Sequence, residues 1–396
     1  MRACILTTSF PAYEGHFQSQ FIAELAKAMS KLAEVTVICP KYKISRQSEE
    51  SFGNVKIKRF TYFPIKFQTL TDGGGLASNM EKNILSYIQL PFFLLSMFFK
   101  LIREIKNHDV IFAQWALAGM VAVFAGFFFK KPVILTTRGA DVNMSLKNPV
   151  FKKILVAVMR CCNHITSNNE DLIKKVNELG IKNTTVVRNG VDTDRFKPGD
   201  KTELRKKLGL PLNKKIIIYI GWFIERKGVK YLVSAMPKII MGHKNTHFLL
   251  IGEGIMRAEI EKQIETLGIK EFTQLTGAKL PAEVPDWLCA SDILILPSMA
   301  EGFPNVVLEA MASGVSVVAT NVSGTPELLK DGFNGYLIEP KNPEQIAEKI
   351  NKILETPETA EKMGKNGRQM LFDKGLSWDN SAKKYIEIAS RFLNTH

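Results

Sequence analysis

Short apolar runs rich in β-branched residues alternate with helix-length amphipathic stretches along almost the whole chain. In the first half these runs predict strands at Ala3–Thr8, Val35–Cys39, Val55–Arg59, Val110–Ala113, Val133–Thr137, Ile165–Thr166 and Thr185–Arg188. In the second half they predict strands at Lys215–Ile220, His247–Ile251, Phe272–Thr276, Ile293–Leu296 and Val315–Ala319. Because the runs are continuously apolar, they read as parallel strands covered on both faces by crossover helices. Each half therefore reads as a doubly wound α/β unit. Phe196 to Asn213, with Pro198, Gly199, Gly209 and Pro211, reads as a hinge and a short helix. The expected division is 1–195 and 196–376, followed by a last helix over 377–396 that Ser377 is suited to cap. Segment 68–80, with Gly73-Gly74-Gly75, reads as a mobile loop.

A length of 396 residues exceeds one ordinary core, which agrees with two domains. Hydrophobic content of 45% with 23% charged residues excludes a disordered chain. The net charge of +14 is uneven: residues 1–195 hold 26 Lys+Arg against 15 Asp+Glu, the rest 27 against 24. A basic first half suits an acidic partner, and anionic lipid or phosphate fits better than nucleic acid, for which no motif is present. Cys4, Cys39, Cys161, Cys162 and Cys289 form no C-x-x-C pair and read as buried small hydrophobes in a reducing compartment. His243 and His247 fall in a turn, and no metal site is expected there. The start of the chain runs straight into a strand, so no signal peptide is expected. The apolar segment Ile84 to Ile102 contains Ser86, Gln89, Pro91, Ser96 and Lys100, and reads as a buried or interfacial helix rather than a span. That leaves peripheral attachment open.

The segment carrying most chemistry is Met299 to Gly314, which follows the apolar run Ile293–Leu296. Pro304 suits a first helical position and Gly314 a left-handed helix end. Val306, Val307, Leu308, Ala310, Met311 and Ala312 predict a helix apolar nearly all round, hence buried, with Glu309 as its lone charge. Glu301 stands eight positions earlier, in the loop. Two carboxylates flanking a helix N-terminus describe a place for hydroxyls and a phosphate together.

That spacing, Glu301-x7-Glu309 with Gly302-Phe303-Pro304-Asn305 between, resembles the donor-site signature of the retaining glycosyltransferases of family 4. Arg188-Asn189-Gly190-Val191-Asp192, Gly221-Trp222-Phe223-Ile224-Glu225-Arg226-Lys227-Gly228, Ala290-Ser291-Asp292 and Ser323-Gly324-Thr325-Pro326-Glu327 are similar to further segments of that family. The likeness is strong over about residues 185–340 and weaker but collinear before them. It implies the GT-B fold: two Rossmann-like doubly wound domains facing a central cleft, with the last helix packed back on the first.

The resemblance also implies roles. Lys227, with Arg226 beside it, would hold the diphosphate; the amides of Phe303, Asn305 and Val306 would face the donor; Glu309 would accept from ribose hydroxyls and Glu301 from those of the transferred sugar. The base would rest near Gly277-Ala278-Lys279-Leu280. Gly15, in the loop after the first strand, would approach the diphosphate, while His16 reads equally well as a polar loop residue. Two departures stand out: Trp222 where many members carry Arg, and Arg138 where many carry His. Arg138 suits a phosphate or carboxylate, and Asp141 an acceptor, with an Arg138–Asp141 ion pair as the rival. No metal and no cofactor are expected; fixed cations and helix N-termini would serve instead.

Neither half carries a complete G-x-G-x-x-G, since Gly252-Glu253-Gly254 is followed by Arg257, and no Walker A sequence is present; dehydrogenase and nucleotide-hydrolase readings lose support. The expectation is a retaining transferase moving a sugar from a nucleoside-diphosphate sugar to a glycan or lipid-linked acceptor in surface polysaccharide or glycolipid synthesis. It would work in the cytoplasm, with attachment to the inner face of the plasma membrane open. A catalytically degenerate partner subunit, a phosphorylase and a sugar-nucleotide epimerase are the alternatives.

Overall fold

The computed structural model describes residues 1–45, 47–71, 76, 79 and 84–393. The chain divides into two compact units, Met1–Asn189 with Trp378–His396, and Gly190–Ser377. Gly73-Gly74-Gly75 of the expected mobile loop lie outside the described residues.

The first unit is built on strands β1 (Arg2–Thr7), β2 (Glu34–Pro40), β3 (Glu49–Phe52), β4 (Val55–Phe60), β5 (Val110–Gln114), β6 (Val133–Thr137), β7 (His164–Ser167) and β8 (Thr184–Val186). Their order across the sheet is β3-β4-β2-β1-β5-β6-β7-β8. Alternate side chains of each strand enter opposite cores. Ala3, Ile5, Val35, Val37 and Phe112 meet helices Gln20–Met29 and Trp378–Leu393, whereas Cys4, Leu6, Ile38 and Ile111 meet helices on the other face. The last helix contributes Ala382, Tyr385, Ile388 and Ala389 to the first of these cores, and Tyr385 Oη lies 3.1 Å from Thr136 Oγ1.

One strand departs from the expected parallel sheet. β3 runs antiparallel to β4 through the two-residue turn Gly53-Asn54, where Gly53 has φ +58°. Its sequence, Glu-Glu-Ser-Phe, is too polar to read as a strand, because an edge position buries only one side of it. The turn glycine was the usable signal.

The second unit holds β9 (Lys215–Ile220), β10 (Thr246–Ile251), β11 (Thr273–Gly277), β12 (Ile293–Leu296), β13 (Ser316–Thr320) and β14 (Tyr336–Ile338), ordered β11-β10-β9-β12-β13-β14 and parallel throughout. The three-residue β14 was too short to stand out from its glycine-rich approach. The hinge helix forms over Lys201–Leu208, capped by Asp200 Oδ1 on the amides of Thr202 (2.8 Å) and Glu203 (3.0 Å), and ends on Gly209 at φ +66°.

The segment around Ile84 forms helix Ile84–Glu104. By length and composition it is apolar enough to cross a membrane. Its Phe93, Met97 and Leu101 nevertheless lie in the core of the first unit, and Gln89 is buried with Oε1 accepting from Thr69 N (3.1 Å) and Leu70 N (3.3 Å). Cys4, Cys39, Cys162 and Cys289 are buried, but Cys161 is exposed, because it closes helix Pro149–Cys161 on its outer side. Tyr385→Ala should lower the stability of the first unit by about 3 kcal/mol, read as a shift of its urea transition; an unshifted transition would show that the last helix contributes little to that core.

Candidate functional site

In the second unit the strand order reverses at β9, whose neighbours are β10 and β12. Ligands of open α/β sheets bind outside the carboxyl ends of strands at such a point. The loop after β9 and the loop after β12 meet there. Met299 N donates to Arg226 O (2.8 Å), and Arg226 Nη1 donates to Ala300 O (3.0 Å). Gly228 makes the approach possible: at φ +67°, a Cβ there would lie 2.0 Å from Pro297 O. Only glycine fits both the conformation and the space.

Within this frame Lys227 Nζ and Ser298 Oγ each donate to Glu301 Oε1, both at 2.6 Å. The Glu301 side chain is 7% exposed and that of Lys227 17%. Burial works to raise the Glu301 pKa, but the charges of Lys227 and Arg226 and the two hydrogen bonds hold it below the ordinary carboxylate value. One proton of the Lys227 ammonium points at Glu301, so two remain for a ligand. Ser298, which has no assigned role on sequence grounds, is part of the cluster. Its signal was a hydroxyl three positions ahead of a loop carboxylate.

Helix Asn305–Ala312 begins directly behind Glu301. Pro304 is its N-cap, one position earlier than expected, and its own side chain makes no capping hydrogen bond. The first amides of a helix have no partner inside it and favour an anion. The helix is not buried all round: Val307, Leu308, Ala310, Met311 and Ala312 are buried, while Asn305, Val306 and Glu309 are half-buried and share one side. Glu309 therefore occupies the face on which a ligand has access, not the core. Gly314, at φ +72°, ends the helix as expected.

The remaining expected residues line the same sheet edge. Phe303 is buried, Trp222 is half-buried, and the Trp222 carbonyl accepts from Tyr219 Oη (3.0 Å). Gly277 ends β11 at φ +74°, followed by exposed Ala278 and Leu280, with half-buried Lys279 Nζ 5.0 Å from the centre of the Trp287 ring. These lie two strands away from β9.

In the first unit the sheet reverses at β1, between β2 and β5. Gly15 sits in the following loop at φ +86° with open space around it. His16 is buried against the rings of Tyr13 and Phe17, and burial, with Arg59 nearby, lowers its pKa. It reads as a neutral packing residue. Arg138, after β6, is buried among neutral groups: Nε and Nη2 donate to Gln114 Oε1 (3.0 and 2.8 Å), Nη1 donates to Asn189 Oδ1 (3.2 Å), and the Phe21 ring centre lies 4.5 Å from Cζ. The rival arrangement, an Arg138–Asp141 ion pair, is not formed. Asp141 Oδ1 accepts from the amides of Arg138 and Val142 (3.1 Å each) and Oδ2 from that of Ala116 (3.2 Å). With both oxygens taken up by amides, Asp141 pins backbone rather than charge. Burial raises its pKa, and the amides oppose that rise. Gln114 was the missed residue, detectable as the polar end of an otherwise apolar strand.

Two Rossmann-like units, one with a cation–carboxylate cluster at its reversal point, define a glycosyltransferase of the GT-B type. The comparisons agree. The model of the glycosyl transferases group 1 matches residues 200–370, and that of glycosyltransferase family 4 matches residues 18–195. An uncharacterized glycosyltransferase of Methanocaldococcus jannaschii, MJ1178, is 30% identical over 289 residues, 71% of this chain and 74% of that protein. The chain belongs to glycosyltransferase family 4. Sucrose-phosphate synthase from Thermosynechococcus elongatus shares the fold with a TM-score of 0.84 at 19% identity over 100% of both chains. The Anabaena protein HepE, solved in complex with UDP-glucose, does so with a TM-score of 0.78 at 19% identity over 99% of this chain and 100% of that one.

Because the native pKa of Glu301 lies below the ordinary value of 4.5, its carboxylate contributes stability that is fully present above that pH. The contribution is lost as pH falls through the native value. The difference in urea midpoint between wild type and Glu301→Gln should therefore shrink from about pH 5 to about pH 3. A difference constant over that range would contradict the pairing.

Proposed function

We propose that the chain is a retaining glycosyltransferase that takes its sugar from a nucleoside-diphosphate donor bound on the second unit. The observation that carries this is the convergence of Lys227 and Ser298 on one oxygen of Glu301, in front of a helix whose N-cap is Pro304 and with Glu309 on its half-buried side. The remaining protons of Lys227 and the first amides of helix Asn305–Ala312 offer positive charge to the diphosphate, with Arg226 at the rim. Trp222 does not supply the charge that an arginine would bring, so Lys227 and Arg226 carry that load. Glu309 takes the ribose hydroxyls, and Glu301, through Oε2, those of the transferred sugar. HepE, the Anabaena relative in fold solved with UDP-glucose, supports a donor of this chemical class.

The reaction needs no protein nucleophile. The acceptor oxygen attacks the anomeric carbon on the face from which the diphosphate departs. The bond from that carbon to the phosphate oxygen breaks, and a departing phosphate oxygen takes the acceptor's proton. Charge builds on the leaving group, and fixed cations stabilise it there without a bound metal. In the first unit, Arg138 is a buried cation held by neutral amides and an aromatic face, which suits an anionic group on the acceptor. We assign the chain to surface polysaccharide or glycolipid synthesis on a lipid-linked acceptor at the cytoplasmic membrane face.

Glu309→Gln should keep its melting temperature and lose about 100-fold in transfer, measured with the donor found by thermal-shift screening of nucleoside diphosphates and their sugars. Full activity in that variant would sink the donor assignment.

A further inference from the structure

Three neighbouring helices of the first unit, Ile84–Glu104, Ala116–Phe129 and Pro149–Cys161, pack on one face of its sheet. The middle one is built the wrong way round for a helix facing water. Apart from Val121 its inward positions are the small residues Ala118, Gly119, Ala122, Ala125 and Gly126, and a Cβ on Gly126 would come within 2.8 Å of Val133 Cγ2. Three of its four phenylalanines point outward: Phe124, Phe127 and Phe128 are 62%, 81% and 70% exposed, while Phe129 packs against the core. Close packing of backbone on sheet accounts for the small residues; packing within the unit does not account for the three outward phenylalanines.

The flanking helices extend the same surface. Ile88, Phe92, Leu95 and Phe99 follow a helical stripe and are each exposed, while Phe93, Met97 and Leu101 of the same helix face the core. On the third helix Val150, Phe151 and Ile154 are exposed. Apolar side chains facing out from three adjacent helices mark an interaction surface, not scattered surface hydrophobes.

Charge identifies the occupant. Between Val110 and Asn169 the only acidic residue is Asp141, against seven basic ones, Lys130, Lys131, Arg138, Lys147, Lys152, Lys153 and Arg160. Asp141 is engaged with backbone amides, and Lys130, Lys147, Lys152, Lys153 and Arg160 are exposed. A second copy of this chain would set the positive rim against itself. An anionic lipid surface satisfies both parts, with aromatic rings at the acyl boundary and lysines among the headgroup phosphates.

We infer that this three-helix face docks on an anionic lipid surface. The inference deepens the lipid part of the proposed function and is independent of the donor chemistry. The test is flotation of the full chain with phosphatidylcholine vesicles, with and without phosphatidylglycerol. Wild type should float only with the anionic vesicles, and less so at high salt. Phe127→Ser/Phe128→Ser, Phe92→Ser/Phe99→Ser and Lys152→Glu/Lys153→Glu should each lower partitioning by about tenfold or more. All three pairs are exposed, so their melting temperatures should match wild type, and a nucleoside-diphosphate thermal shift should persist in each. Absence of wild-type flotation, or flotation of all three variants equal to that of wild type, overturns the docking while a retained nucleotide shift leaves the donor reading standing. Self-association of wild type that Phe127→Ser/Phe128→Ser abolishes, without vesicle binding, also overturns it and marks a protein interface. Flotation as expected with no nucleotide shift upholds the docking and removes the donor reading.

Discussion

A carboxylate with almost no access to water is a costly thing to keep ionised, and at Glu301 the cost is offset by two donors sharing one oxygen. Much of the local architecture follows from that demand. Lys227 reaches Glu301 because Gly228 lets the loop after β9 lie against Pro297, and the Arg226–Ala300 and Arg226–Met299 hydrogen bonds fasten the two loops together. The carboxylate in turn fixes the ammonium, whose remaining protons have a defined direction before any ligand arrives. Preorganised charge of this kind is what stabilising a departing diphosphate requires, since nothing needs to reorient when negative charge develops.

The first unit handles its buried charge differently. Arg138 is held by Gln114, Asn189 and the face of Phe21, none of which carries an opposite charge. Its guanidinium keeps its orientation while its charge stays uncompensated by the side chains that hold it. Glu301 and Lys227 form a directly bonded neutral pair; the guanidinium of Arg138 is bonded to neutral groups only, with the Asp141 carboxylate acting on it through space.

Most of the strand framework could be read from sequence because parallel strands covered on both faces must be apolar throughout. A run as short and as uniformly apolar as Ile293–Leu296, bounded by Asp292 and Pro297, fits that environment and little else. The exceptions share a cause. β3 and β14 are short edge elements whose side chains answer to one neighbour only, so composition says little about them. The site was legible where it depends on spacing along one segment, as with Glu301 and Glu309. It was illegible where partners converge from distant segments: nothing in Arg138-Gly139-Ala140-Asp141 reveals that the side chain of Asp141 serves amides of Arg138, Val142 and Ala116 while the guanidinium turns to Gln114. Helix Asn305–Ala312 shows the limit of pattern reading in the other direction, since residues apolar enough for complete burial leave one side open around Glu309.

Asp141 has one more consequence. One oxygen grips the amide of Arg138, and the other grips the amide of Ala116, the first residue of the helix that carries Phe124, Phe127 and Phe128. A single side chain thus rivets the origin of the aromatic-studded rod to the turn that bears the guanidinium. The two are thereby held as one piece, so any displacement of that rod carries the Arg138 turn with it.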